Sequence, residues 1–220
     1  MLLIPDVHGR DFWREVKDKD DKIIFLGDYV DPYGYEGFTR EDAIQALSDI
    51  IELKKSKPDK VILLLGNHDF AYVTDLYDIR SRYDYENAPK LQKLFRDNLD
   101  LFQMAHQEEN IIFSHAGIHP EWLKEYYPSQ TPESFVEIAN SNLKSLTQSF
   151  VDSLMSCGYS RGGWAPVGSM IWSDVSEWLK YTGIFQIFGH TQLKQGPLVM
   201  GHFADLDCRK WFDLNKVRES

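Results

Sequence analysis

Six side chains of the kind that bind metals sit beside glycines in five short segments. They are Asp6 and His8 in Asp6-Val7-His8-Gly9, Asp28 in Gly27-Asp28-Tyr29-Val30-Asp31, and Asn67 in Gly66-Asn67-His68-Asp69. His115 in Ser114-His115-Ala116-Gly117 and His190 in Gly189-His190-Thr191 complete the set. Two carboxylates, one amide oxygen and three imidazoles suit Mn, Fe, Zn or Mg-like ions rather than the thiolate sites of structural zinc. Six ligands are too many for one catalytic ion that keeps an open position. They suit two divalent ions, manganese first among them, sharing one carboxylate and one water-derived bridge, and we assign the sharing to Asp28. Two such ions about 3.5–4 Å apart would lower the pKa of a bridging water, polarise phosphoryl oxygens and stabilise in-line displacement. Two residues are left over. A histidine oriented by a carboxylate is a standard way to hold an imidazolium as general acid. His68 is therefore expected to protonate the leaving alkoxide, and Asp31 to orient His68 and favour its charged form.

Short apolar runs must deliver these groups. Leu2 to Ile4, Ile23 to Leu26, Val61 to Leu65, Ile111 to Phe113 and Ile184 to Phe188 read as buried strands, each ending just before one of the five segments. Ligand sites in open α/β sheets lie at the carboxyl ends of strands. Asp6 and His8 are two apart, so an extended backbone points both the same way. Arg10 and Asp11 open a short helix through Trp13 and Val16. Thr39 with Asp42 reads as a capping-box start to a helix whose face is Ala43, Ile44, Leu47, Ile50 and Ile51. Residues 90–105 are expected to form a helix with His106 at its end. Thr131 as N-cap and Pro132 at the first position start one long helix running to Leu154. The tail, from Leu198 to Leu214, reads as antiparallel strands completing a second sheet.

Composition sets the frame. The chain has 220 residues, 43% hydrophobic and 26% charged, which is ordinary for one globular domain spanning 1–220. A formal net charge of −10 argues against a general nucleic-acid or membrane-surface binder. A two-metal cleft would carry a local charge of about +1, which reconciles an acidic protein with an anionic substrate. Cys157 and Cys208 read as core thiols of a cytoplasmic protein. The N-terminus carries no signal-peptide pattern.

The five motifs, in this order, resemble the calcineurin-like metallophosphoesterase superfamily, and most of all its phosphoprotein-phosphatase branch. Bacterial serine/threonine phosphatases and diadenosine tetraphosphatases are relatives within it. Trp172-Ser173-Asp174 looks like a further landmark, and the likeness spans residues 6–191. It implies an α/β fold, a double β-sandwich of two mixed sheets flanked by helices. It implies one metal on Asp6, His8 and Asp28, and a second on Asp28, Asn67, His115 and His190, with His68 and Asp31 as the acid pair.

Two positions depart from the family pattern. Pro32 and Leu65 stand where the family carries arginines that hold phosphate. Arg161, in a glycine-rich loop, is the candidate replacement, because a guanidinium grips phosphate bidentately. Asn67 and, as second choice, Arg10 are the other candidate substrate contacts. Tyr29, Tyr33 and Tyr35 are expected to pack their loop, with an aromatic wall for a nucleobase or aryl ring as the alternative. The expected activity is two-metal hydrolysis of a phosphate monoester, either a phosphoprotein or a small ester. Hydrolysis of a dinucleoside polyphosphate or a phosphodiester is the alternative. A non-catalytic scaffold of the same fold would show eroded ligands, whereas every ligand position here is filled.

Overall fold

The structure is a computed structural model that describes residues 1–76 and 81–218. In chain order its strands are β1 (Leu2–Ile4), β2 (Ile23–Phe25), β3 (Val61–Leu64), β4 (Phe102–Gln103), β5 (Ala105–Glu108), β6 (Ile111–Ser114), β7 (Phe185–Phe188), β8 (Leu198–Met200), β9 (Phe203–Asp205) and β10 (Phe212–Asp213). The helices are α1 (Arg40–Ser56), α2 (Asn67–Thr74), α3 (Ala88–Asp97), α4 (Pro120–Tyr126), α5 (Pro132–Ser145), α6 (Gln148–Leu154) and α7 (Leu214–Arg218). Two compact units divide these elements. The first holds Met1–Phe102 and the tail from Arg209, and the second holds Gln103–Cys208.

The first unit is built on a five-stranded mixed sheet in the order β10-β1-β2-β3-β4. Its central strands β1, β2 and β3 run parallel, with Leu2 opposite Ile23 and Ile23 opposite Val61. All three are buried along their whole length, so the near-continuous Leu, Ile, Val and Phe content is what such strands require. Because they run parallel and in register, their C-terminal loops emerge side by side. Helix α1 begins with the capping box read from Thr39 and Asp42, and it buries Ala43, Ile44, Ala46, Leu47, Ile50 and Ile51.

The second unit carries a five-stranded mixed sheet in the order β5-β6-β7-β9-β8. Strands β6 and β7 pair in parallel, Ile111 with Phe185 and Phe113 with Ile187, so their exit loops are also neighbours. Trp178, Phe188 and Phe203 form an aromatic cluster in its core. Two mixed sheets flanked by helices are the architecture that the α/β reading anticipates.

Several element boundaries differ from expectation, each for a local reason. The helix over 90–105 stops at Asp97. Phe102–Gln103 and Ala105–Glu108 are strands, so His106 lies on β5 beside Glu108 rather than at a helix end. The pattern Phe102-Gln-Met-Ala-His serves a sheet edge as well as a helix, and sheet pairing decides the matter: β4 joins the edge of the first sheet beside β3, and β5 pairs with β6 in the second. The long helix from Thr131 breaks at Leu146, whose φ of 45° ends α5 before α6 begins. The helix after Arg10 is a single 3-10 turn, Phe12–Glu15. Residues Trp211 to Leu214 do not complete the second sheet, because Phe212 and Asp213 pair with β1 in the first.

Candidate active site

Within the first unit, the β1 and β2 exit loops are laced together by main-chain hydrogen bonds. Val7 N and His8 N donate to the Asp28 carbonyl at 3.0 and 2.7 Å, and Gly9 N donates to the Tyr29 carbonyl at 3.0 Å. The third loop is tied in by Asp69. Its carboxylate accepts from Gly66 N at 2.9 Å, Asp28 N at 2.7 Å and Tyr29 N at 2.9 Å. His68 N, in the first turn of α2, donates to Asp28 Oδ1 at 3.0 Å. The Asp28 carboxylate is thereby held at the N-terminus of a helix, where donors and dipole favour an anion. Its other oxygen, Oδ2, faces His8 and His68.

The backbone is strained at these residues. His8, Asp28 and Asp31 have φ of 44°, 53° and 57°, and His190 in the second unit has 70°. A left-handed conformation at non-glycine residues is uncommon and concentrates where a site over-determines it. Gly66 is required for a different reason. A Cβ there would lie 2.1 Å from Asp28 Oδ1 and 2.7 Å from Asp28 N.

The His8 tautomer follows from its partners. Nδ1 lies 2.7 Å from the Val30 carbonyl, which can only accept, so Nδ1 carries the proton and Nε2 offers a lone pair. Burial holds this imidazole well below the ordinary histidine pKa, against the opposing pull of Asp28. His8 Nε2 is 3.6 Å from Asp28 Oδ2 and 3.8 Å from Asp6 Oδ2. Those gaps are too long for hydrogen bonds, but they suit donors sharing one cation at about 2.0–2.2 Å from each. His8 Nε2 thus faces two buried carboxylates, those of Asp6 and Asp28. The donor set therefore fits a divalent ion.

His68 is bound differently. Its Nδ1 is 2.7 Å from Asp31 Oδ2, and its Nε2 is 4.0 Å from Asp28 Oδ2. Burial lowers its pKa, but the Asp28 charge and the Asp31 hydrogen bond raise it more, and the net shift is upward. Asp31 in turn accepts from the Tyr72 hydroxyl at 2.5 Å. Asn67 is buried at the first position of α2. Arg10 lies behind Asp6. Its guanidinium reaches Glu36 at 2.6 and 3.1 Å and the Asp6 carbonyl at 2.9 Å, so its fork is engaged by protein groups.

In the second unit, His115 follows β6 and His190 follows β7. Gly189 N donates to the His115 carbonyl at 2.9 Å, and His115 Nε2 is 3.1 Å from His190 Nδ1. Two nitrogens at that spacing fit adjacent positions on one cation with bonds of about 2.0–2.1 Å. Arg161 is drawn to the same loop. Its Nη2 donates to the His190 carbonyl at 3.1 Å and Thr191 Oγ1 at 2.8 Å, and its Nε pairs with Asp174 at 2.9 Å. His119 caps α4 through the Glu121 N–H and packs edge-on against Trp178.

Three positioning groups escaped the sequence reading. Asp69 sits inside a motif yet showed no role, although an acid three residues after the glycine before a helix is a capping signal. Tyr72 and Arg82 lie in a stretch without periodicity, and only the fold brings them to Asp31. Tyr29 is fully buried, with its hydroxyl on the Leu64 carbonyl, so loop packing is its role.

Comparison with known proteins gives the family and the fold. The family model described as calcineurin-like phosphoesterase matches residues 2–194. Among solved structures, a cold-active protein-tyrosine phosphatase from a Shewanella species superposes with a TM-score of 0.62 at 16% identity, covering 94% of this chain and 70% of that one. A Saccharomyces cerevisiae protein serine/threonine phosphatase with similarity to human phosphatase PP5 gives 0.55 at 16% identity, covering 93% and 65%. At such identity the two share a fold with this chain. The family match covers most of the sequence and includes all five motifs, so the chain belongs to the calcineurin-like phosphoesterase family and is a phosphoric ester hydrolase.

Proposed function

We propose that the protein is a two-metal phosphatase that hydrolyses phosphate monoesters, on a protein side chain or a small molecule, with His68 as general acid. The observation that carries the reading is His68 itself: its Nδ1 is held by Asp31, and its Nε2 is turned toward the Asp28 side of the site. Asp6, His8 and Asp28 hold one divalent ion in this reading. Asp28, Asn67, His115 and His190 hold the second, an assignment that rests on the order of the motifs. When bound, the ions supply an activated water and polarise the phosphoryl oxygens.

The protein's own groups do the rest. Asp28 is oriented by the His68 N–H and by the clamp of Asp69 on its backbone, so Oδ2 needs no reorganisation to meet a cation. The left-over proton work falls to His68, which delivers the proton on Nε2 to the departing oxygen while Asp31 keeps Nδ1–H in place. Asn67 and Arg161 are the proposed substrate contacts, and Arg10 enters as a support for the Asp6 loop. A cytoplasmic, manganese-loaded form is proposed on the sequence grounds given above. Among the described residues no helix is long and apolar enough to cross a membrane.

The test is hydrolysis of an aryl phosphate against its bis-aryl diester, with added Mn²⁺, before and after chelation. Chelator-sensitive turnover of the monoester is the expected result. Turnover of the diester alone would overturn the monoesterase reading in favour of a diester or polyphosphate substrate.

A further inference from the structure

We propose that Arg82 is the positioning residue of the acid pair, gripping the main chain of Asp31 so that the Asp31 carboxylate stays on His68. The inference rests on the reading of His68 as general acid. Asp31 is a non-glycine residue in the left-handed region, with φ of 57°. Its side chain and main chain are held separately. The carboxylate accepts from His68 and Tyr72. The carbonyl accepts twice from Arg82, from Nε at 3.0 Å and Nη2 at 2.8 Å.

Arg82 is itself fixed in plane. Its Cζ lies 3.5 Å from the centroid of the Tyr33 ring, and the same ring packs edge-on against His8 at 5.1 Å. Arg82 Nη2 also approaches His8 Nδ1 at 3.3 Å. That nitrogen already donates to Val30, so the approach is a packing contact between two N–H groups. It places the guanidinium on the Nδ1 side of His8, away from the Nε2 that faces the carboxylates. Arg82 therefore acts on the reaction through Asp31. A flat fork that stacks and donates twice to one carbonyl is a task that lysine, a single point charge on a flexible stem, does not reproduce.

The step that depends on it is proton delivery. As a water-derived oxygen bonds to phosphorus and the bond from phosphorus to the leaving oxygen breaks, the electron pair of that bond goes to the leaving oxygen and the proton on His68 Nε2 follows. His68 is left neutral, with Nδ1–H still on Asp31. If Asp31 is released, the ring turns and the leaving group must depart unprotonated.

The experiment compares phenyl phosphate, whose leaving group needs the proton, with 2,4-dinitrophenyl phosphate, whose anion leaves without it, using the Mn²⁺-loaded protein. In Arg82→Ala, kcat for phenyl phosphate is expected to fall about 100-fold, the size of a general-acid contribution. kcat for the dinitrophenyl ester and both KM values are expected to stay nearly unchanged. Arg82→Lys, which tests the same point should the alanine variant fail to fold, shows a smaller loss with the same split. A cleft of about 540 Å³ lined by Asp31, Arg82, Tyr83 and Tyr85 opens onto this position, so added guanidinium ion can enter. Guanidinium restoring phenyl phosphate turnover where ammonium does not supports the fork. Equal loss on both esters, no loss on either, or equal rescue by both cations overturns the proposal. His68→Asn separates the two levels. If it shows the split and Arg82→Ala does not, only the role of Arg82 fails; if it shows no split, the general-acid reading fails first.

Discussion

Asp31 is held from three directions, by Tyr72 and His68 on its carboxylate and by Arg82 on its carbonyl. Tyr72 extends the chain, because its hydroxyl also accepts from Asp84 N at 2.7 Å. Burial and the neighbouring Asp31 charge push the Tyr72 phenol far above its ordinary pKa, so it remains a donor across the working range. Tyr72→Phe leaves the Asp84 N–H and one Asp31 oxygen without this partner. We expect a stability loss of about 1–3 kcal/mol in urea denaturation. kcat should fall, because Asp31 is less firmly held, while KM stays the same. A variant with the wild-type midpoint and wild-type kcat would contradict this account of the chain from His68 to Asp84.

At the scale of elements, the junction from β3 to α2 is the tightest point. Gly66 passes so close to Asp28 that a methyl group would meet both its carboxylate oxygen and its backbone nitrogen. A backbone atom cannot rotate away, so Gly66→Ala must displace the β2 exit loop that carries Asp28. The expected result is weaker Mn²⁺ binding in a titration, together with an overpacking cost of about 1–3 kcal/mol. Unaltered Mn²⁺ affinity would show that the loop can shift without moving Asp28. In the second unit, Glu177 organises the turn after Trp172. It accepts from Gly168 N at 2.8 Å, Ser173 Oγ at 3.0 Å and Asp174 N at 3.2 Å. Burial nevertheless raises its carboxyl above the ordinary value, since the three donors only partly offset the desolvation. The folded state then keeps a proton that the unfolded chain has released, so stability falls as pH rises from the ordinary Glu value of about 4.3 through the raised folded value. Glu177→Gln removes that slope. Urea midpoints measured across pH should diverge in this window, and parallel curves would contradict the assignment.

For the whole molecule, the first unit gathers several buried carboxyl groups around one site. Asp6, Asp28, Asp31 and Asp69 are all buried in the first unit, in a chain of net charge −10. A divalent ion bound only by the folded state should stabilise it by about 2.7 kcal/mol at a concentration 100 times its Kd. For a chain of this size that is a rise of roughly 5–10 °C in Tm. Chelation should reverse the rise, and Asp28→Asn should abolish most of it. A Tm indifferent to Mn²⁺ would argue that these carboxylates do not share an ion.

The sequence alone determined the family and the strands that carry its five motifs. A buried parallel strand must be continuously apolar, and a tight exit needs glycine, so both leave local marks at β1, β2, β3, β6 and β7. The capping box at Thr39 and the N-cap at Thr131 were legible for the same reason, since their hydrogen bonds close within three residues. Only the tertiary structure decided that Phe102–Gln103 and Ala105–Glu108 are strands, that Leu146 breaks a helix, and that Phe212 pairs with β1. It also decided that Tyr72 and Arg82 converge on Asp31, and that Asp69 clamps the loop of Asp28. The contacts on Asp31 and Asp28 join residues 41 to 51 positions apart, and the rest are choices between elements of similar propensity. No short-range pattern encodes them, because the energy that decides them is released only when the sheet partners and the three exit loops are already side by side.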